Sequence, residues 1–182
     1  IRDSELDWPR RPGVGKRSEA LPGRLCSTIT AQPFGGEGVT MTSIVIKAKA
    51  GLRLIAHVAA TLDNLSRGRA ILGIGAGEAM NIRPYGLPWE NPQTRLARLK
   101  ETVEVIRLLW KSSQESPVDL EGRFCRLLRA RLDIHPFGER TIPIYIAALG
   151  SRESLKLVGE VGDGWLPWFN TPELYAERAR FI

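Results

Sequence analysis

Glu78 follows directly on Gly75-Ala76-Gly77, and that glycine turn in turn ends the apolar run Ala70-Ile71-Leu72-Gly73-Ile74. The run is long enough for a buried strand, so the chain here delivers a carboxylate into a tight turn. Glycines let the backbone bend sharply there, and with no Cβ in the way a flat ligand can lie close against it. The chemistry on offer is an acid beside a planar, backbone-contacting ligand. A dinucleotide fingerprint is excluded, because Gly-x-Gly-x-x-Gly would need glycine in place of Glu78 or of Met80. A Walker loop is excluded too, since no Gly-Lys-Ser/Thr ending follows. The plainer alternative stays open at this point: a core strand ending in a glycine turn with a solvated Glu78.

The elements around this stretch can be read from punctuation and periodicity. Ile1 to about Gly38 is broken by Pro9, Pro12, Pro22, Pro33 and several glycines, which predicts an irregular or mobile N-terminal segment before a domain spanning 39–182. Val39 to Ile46 is β-branched and predicts a strand. Leu54-Ile55, Val58, Leu62 and Leu65 recur at helical spacing up to a cap at Gly68. After the glycine turn, the two prolines between Asn81 and Glu90 predict an irregular loop. Asn91 as N-cap and Pro92 at the first helical position open a helix with Leu96, Leu99, Val103, Ile106 and Trp110 on one stripe. In this helix Trp110 reads as core.

Val118 to Asp133 predicts a small hairpin outside the main rhythm. Ile142 to Ala148 is another apolar strand, followed by a helix from Arg152 to Val161 capped by Ser151. A fourth strand, Gly164 to Trp168, leads to a last helix capped at Thr171-Pro172-Glu173. Strand and helix alternating in this way is the rhythm of a parallel α/β fold. Whether the sheet is open or part of a barrel, ligands sit at the carboxyl ends of the strands, where Gly75 to Glu78, Ala147-Ala148 and Trp168 fall.

Composition narrows the function classes. The 182 residues suffice for one domain with a substantial core. Net charge is +6, with Arg123, Arg126, Arg129 and Arg131 its densest group, but no aromatic residues interleave a basic stripe and nucleic acid is not expected as a partner. Cys26 and Cys125 form no Cys-x-x-Cys pair and read as reduced thiols. His57 and His135 complete no metal spacing with them. No apolar run of about 18 residues and no signal-peptide core are present, so a cytoplasmic protein without a membrane role is expected.

Thr61-Leu62-Asp63-Asn64-Leu65-Ser66-Arg67-Gly68-Arg69, Leu72-Gly73-Ile74-Gly75-Ala76-Gly77-Glu78, Pro84-Tyr85-Gly86, Arg95-Leu96, Ile142 to Ala148 and Asp163-Gly164-Trp165 together resemble the luciferase-like flavin and deazaflavin oxidoreductases. The resemblance runs from about Thr42 to the end. Gly75-Ala76-Gly77-Glu78 with Asn81 is most similar to the branch that uses the deazaflavin coenzyme F420. It implies part of a (β/α)₈ TIM barrel of the luciferase-like type, about strands 3 to 6, since whole barrels need about 250 residues.

Carried over residue by residue, the resemblance implies a tricyclic cofactor ring backed by Ser43 and Ile44, with a non-prolyl cis peptide between them. Gly77, Glu78 and Asn81 would lie along the ring edge, and Ala147, Ala148 and Gly150 beside the cofactor. Glu78 is the implied catalytic residue, because a carboxylate buried beside an apolar ring can be tuned for proton transfer. Leu149 and Thr171 depart from the pattern of the family's sugar-phosphate dehydrogenases, so no phosphorylated sugar is expected, and Trp168 implies an apolar small-molecule substrate. The family's histidine and tryptophan of the first strands have no counterpart in Ile1 to Gly38.

The expected function is hydride transfer between coenzyme F420 and an apolar carbonyl or alkene. Two other readings stay open: an FMN-dependent monooxygenase of the same fold, and a non-catalytic truncated gene product. Four parallel strands alone would leave two sheet edges, from which weak stability, self-association and little affinity for the deazaflavin are expected of this chain by itself.

Overall fold

The computed structural model describes residues 29–34, 38–44, 49–86, 88–168 and 170–182. Cys26 and most of the segment read as irregular lie outside them. Within that segment, however, Ile29–Phe34 forms a strand, β1, which pairs antiparallel with β2 (Gly38–Ile44), Phe34 standing opposite Gly38. Proline did not prevent it. Pro33 lies in β1 at the edge of the sheet, where a residue without an N–H loses no obligatory ladder bond.

The helix predicted after β2 is α1 (Lys49–Leu65). Its buried face is Leu52, Ile55, Ala56, Ala59 and Ala60, while Leu65, expected on the stripe, is 77 % exposed. Small side chains explain the rotation: the alanines let the next long helix approach so closely that the Trp110 indole Nε1 donates to the Ala56 carbonyl at 2.9 Å. α1 ends where Ser66 N–H bonds to Leu62 O and Gly68 N–H to Asp63 O, with Arg67 and Gly68 both left-handed. The buried Asp63 carboxylate then ties this corner together, accepting from Ala70 N and from Phe137 N.

β3 (Ala70–Gly75) runs parallel to β2. The stretch beyond it, expected to be an irregular loop, instead begins with a short helix, α2 (Ala79–Ile82), and a single 3₁₀ turn over Arg83–Tyr85. The prolines are compatible with this, because Pro84 sits in a first turn where its missing N–H costs nothing. α3 (Pro92–Lys111) starts as predicted, with the Asn91 side chain accepting from Thr94 N. Leu99, Val103, Ile106 and Trp110 are buried as expected, and so are Thr102, Val105 and Leu109. The buried surface is wider than one stripe because α3 packs against helices on both of its sides.

The excursion is a separate two-stranded hairpin, β4 (Val118–Glu121) and β5 (Arg126–Ala130). Glu101 of α3 anchors its turn: the carboxylate accepts from the backbone N–H of Arg123, Phe124 and Cys125 at 2.7–3.1 Å. Replacing it with alanine leaves three donors without that acceptor. Glu101→Ala should lower stability by about 1.5–3 kcal/mol, the scale of hydrogen bonds to a charged group, and free the hairpin first. Urea unfolding and proteolysis at 122–125 check this; a change under about 0.5 kcal/mol would show that the hairpin holds itself.

β6 (Ile144–Ala147), α4 (Arg152–Val161), β7 (Gly164–Leu166) and α5 (Pro172–Ala179) complete the described chain. Both helix caps are as predicted, the Ser151 hydroxyl accepting from Ser154 N and the Thr171 hydroxyl from Leu174 N. β7 stops two residues short of the predicted Trp168. The main sheet has the order β1-β2-β3-β6-β7, and all pairs but the first are parallel. Leu72 and Ile74 pair in register with Ile144 and Ile146, and all four are buried in one core with Ile55, Leu99, Ile106, Leu155 and Val158 of the three long helices. Alternation puts Gly75, Tyr145 and Ala147 on the other, more open face.

Candidate active site

Parallel strands in register end together. Ile44, Gly75, Ala147 and Leu166 are successive partners across β2, β3, β6 and β7, and each is the last residue of its strand. The row behind them is Ser43, Ile74, Ile146 and Trp165. No cis peptide bond occurs among the described residues, so the expected cis link between Ser43 and Ile44 is not found. The parallel ladder instead carries straight through both residues, Ser43 opposite Ile74 and Ile44 opposite Gly75.

Two features of the row depend on small residues. A Cβ on Gly75 would stand 3.1 Å from the Ala147 Cβ and 3.3 Å from its carbonyl oxygen, so a larger residue would push the two strands apart or close the open face between them. Just past the row, Gly77 takes φ +81°, a left-handed conformation that costs other residues free energy. Its carbonyl accepts from Arg95 Nη1 at 3.3 Å. Glu78 follows in extended conformation as the N-cap of α2, without a capping bond from its side chain, and it is exposed. The burial expected of Glu78 is therefore not supplied by the described residues: it stands on the rim beyond the last strand row. Asn81 lies in α2, within a turn of Glu78.

The second half of the rim follows β6. Ala148 is buried, donates its N–H to Leu166 O at 3.4 Å and accepts at its carbonyl from Trp165 Nε1 at 3.0 Å. Trp165 in turn stacks on Tyr175 of α5, centroids 5.1 Å apart. Gly150 adopts φ +118°, and the Arg178 guanidinium packs where a Cβ would be, 2.5 Å from the ideal position. Arg178 also donates to the Asn170 side-chain oxygen at 2.5 Å. Met80, Leu149 and Trp168 project from the rim with 75 %, 62 % and 63 % exposure. Among the described residues, no group of three or more His, Cys, Asp or Glu is placed to hold a metal ion. No helix among them is long and apolar enough to cross a membrane.

The topology thus brings Ser43, Ile44, Gly77, Glu78, Asn81, Ala147, Ala148, Gly150 and Trp168 to one end of one sheet. Nothing along the chain marks Arg178, and Arg95 is marked only within the pair Arg95-Leu96, without a site role; they join the rim through contacts with Gly77 and Gly150, 18 residues and more away.

Residues 53–182 match the family model described as luciferase-like monooxygenase. A phthiodiolone/phenolphthiodiolone dimycocerosates ketoreductase of Mycobacterium sp. (strain JLS) is 42 % identical over 124 residues, which are 68 % of this chain and 31 % of the relative. An F420-dependent glucose-6-phosphate dehydrogenase of Amycolatopsis mediterranei (strain U-32) is 40 % identical over 114 residues, 62 % of this chain and 32 % of the relative. Among solved structures, an F420-dependent secondary alcohol dehydrogenase in complex with an F420-acetone adduct superposes with a TM-score of 0.61 at 31 % identity, over 71 % of this chain and 40 % of that one. The chain spans about a third of the length of the two curated relatives.

Proposed function

Since the chain belongs to the luciferase-like monooxygenase family, its sheet and helices being part of that family's (β/α)₈ barrel, we propose that it carries the ring-binding half of an F420-dependent oxidoreductase site. The reaction is hydride transfer between the deazaflavin and an apolar carbonyl or alkene. The observation that carries this reading is the common row of strand ends, Ile44, Gly75, Ala147 and Leu166, with Gly77 and Glu78 directly beyond it. Gly75 and Ala147 keep that row low enough for a planar ring to lie against backbone, so the residues fit a tricyclic cofactor. Similarity to relatives named for F420 supports the deazaflavin over FMN.

Ser43, Ile44, Gly77, Asn81, Ala147, Ala148 and Gly150 would hold the cofactor. Bound there in its reduced form, F420 would supply the hydride. For a carbonyl substrate, Glu78 would pass a proton taken up from solvent to the oxygen as the carbon is reduced, and the product would be an alcohol. Met80, Leu149 and Trp168 give the substrate an apolar rim, which favours a ketone carried on a hydrocarbon body over a phosphorylated sugar.

Fluorescence titration of the purified chain with F420 and, separately, with FMN tests the reading. F420 should bind in preference by about tenfold or more, ~1.4 kcal/mol, whatever the absolute affinity of this portion of the barrel. A preference for FMN would favour the monooxygenase reading. Binding of neither at millimolar concentration would remove the cofactor role from this chain.

A further inference from the structure

Arg95 reaches back from the first turns of α3 to the glycine turn and meets three partners at once. Nη1 donates to Gly77 O at 3.3 Å, Nε donates to Glu90 O at 3.2 Å, and the guanidinium carbon lies 3.7 Å from the centre of the Trp89 ring. A planar fork can satisfy two carbonyls in its plane while its face lies on an indole; an ammonium group has no such face. The segment it grips is itself fixed to α3, because Arg98 engages both oxygens of Glu90 at 2.6 and 3.3 Å. Burial pushes the Arg95 guanidinium below its ordinary value, and the Glu90 carboxylate opposes that shift. A charge is being drawn partly out of water to reach this place.

What it reaches is the peptide that precedes the candidate acid. Gly77 has left the β3 ladder and takes a left-handed φ, and α2 begins only at Ala79, so neither strand nor helix fixes the Gly77–Glu78 peptide. A peptide is planar and trans, so anchoring its C=O on one side points its N–H to the other and sets the direction of the next Cα. We propose that Arg95 is the positioning residue of the site: by holding the Gly77 carbonyl it orients the Gly77–Glu78 peptide, and with it the ring-edge backbone and the Glu78 side chain. The functional meaning of this role rests on the cofactor reading above; the mechanical role does not.

Arg95→Gln and Arg95→Lys, compared with the unaltered chain by amide hydrogen exchange and by F420 titration, test both. In each variant, exchange at 76–78 should quicken about tenfold, the scale of one charge-assisted hydrogen bond, while β6 and α4 keep their protection. F420 affinity should fall by a similar factor, and lysine should not restore it. Unchanged exchange at the turn would overturn the proposal. So would uniform quickening across the sheet and helices, which would make Arg95 a general stability residue, and so would full rescue by lysine, which would make charge alone sufficient. If the unaltered chain binds no F420, the cofactor reading fails, and the exchange comparison still decides whether Arg95 holds the turn.

Discussion

Glu78→Gln should leave F420 binding nearly intact and lower turnover by about 10²-fold or more, the usual contribution of a positioned general acid or base. The substitution keeps shape and removes only the ability to give up and regain a proton. It should be structurally mild, because Glu78 lies on the exposed rim. Steady-state rates and cofactor titration on the same preparation separate the outcomes. Equal turnover in the variant would take Glu78 out of the chemistry. Loss of cofactor binding with turnover would give it a structural part at the ring edge instead.

Leu99→Ala should cost about 2–5 kcal/mol of folding stability. Leu99 is 1 % exposed and lies in the core shared by α1, α3, α4 and the buried face of the sheet, where the removed volume cannot fill from solvent. Leu108 on the same helix is 38 % exposed, and Leu108→Ala serves as the control, expected within about 0.5 kcal/mol of the unaltered chain. Urea unfolding midpoints of the two variants measure the contrast. Similar losses at both positions would mean that α3 is turned differently about its axis.

Local signals in the chain were sufficient for much of the fold. A side chain two or three residues away decides a helix cap, so Ser151, Thr171 and Asn91 could be read directly, and each makes the expected bond. The apolar runs at Ala70 and Ile142 are strands because four to six residues of that composition, bounded by turn residues, bury best in a parallel sheet. The glycine turn and Glu78 were legible for the same local reason. β1 was not, since proline and glycine weaken any local signal and the strand exists through its pairing with β2. Nor was the exposed face of α1, which depends on how closely its alanines let Trp110 approach.

By itself, then, the sequence determined most of the segments that become strands and helices, β1 and α2 apart, and that an acid follows a glycine turn at a strand end. Only the tertiary structure decided that Ile44, Gly75, Ala147 and Leu166 finish in one row, because register is set between strands rather than within them. It also decided that Glu78 stands on the rim and that Arg95, which the sequence marks only within the pair Arg95-Leu96, grips the turn before it. Periodicity reports which side of a helix avoids water. It carries no information about which distant backbone oxygen a long side chain will find, and that contact exists only once α3 has packed beside the sheet.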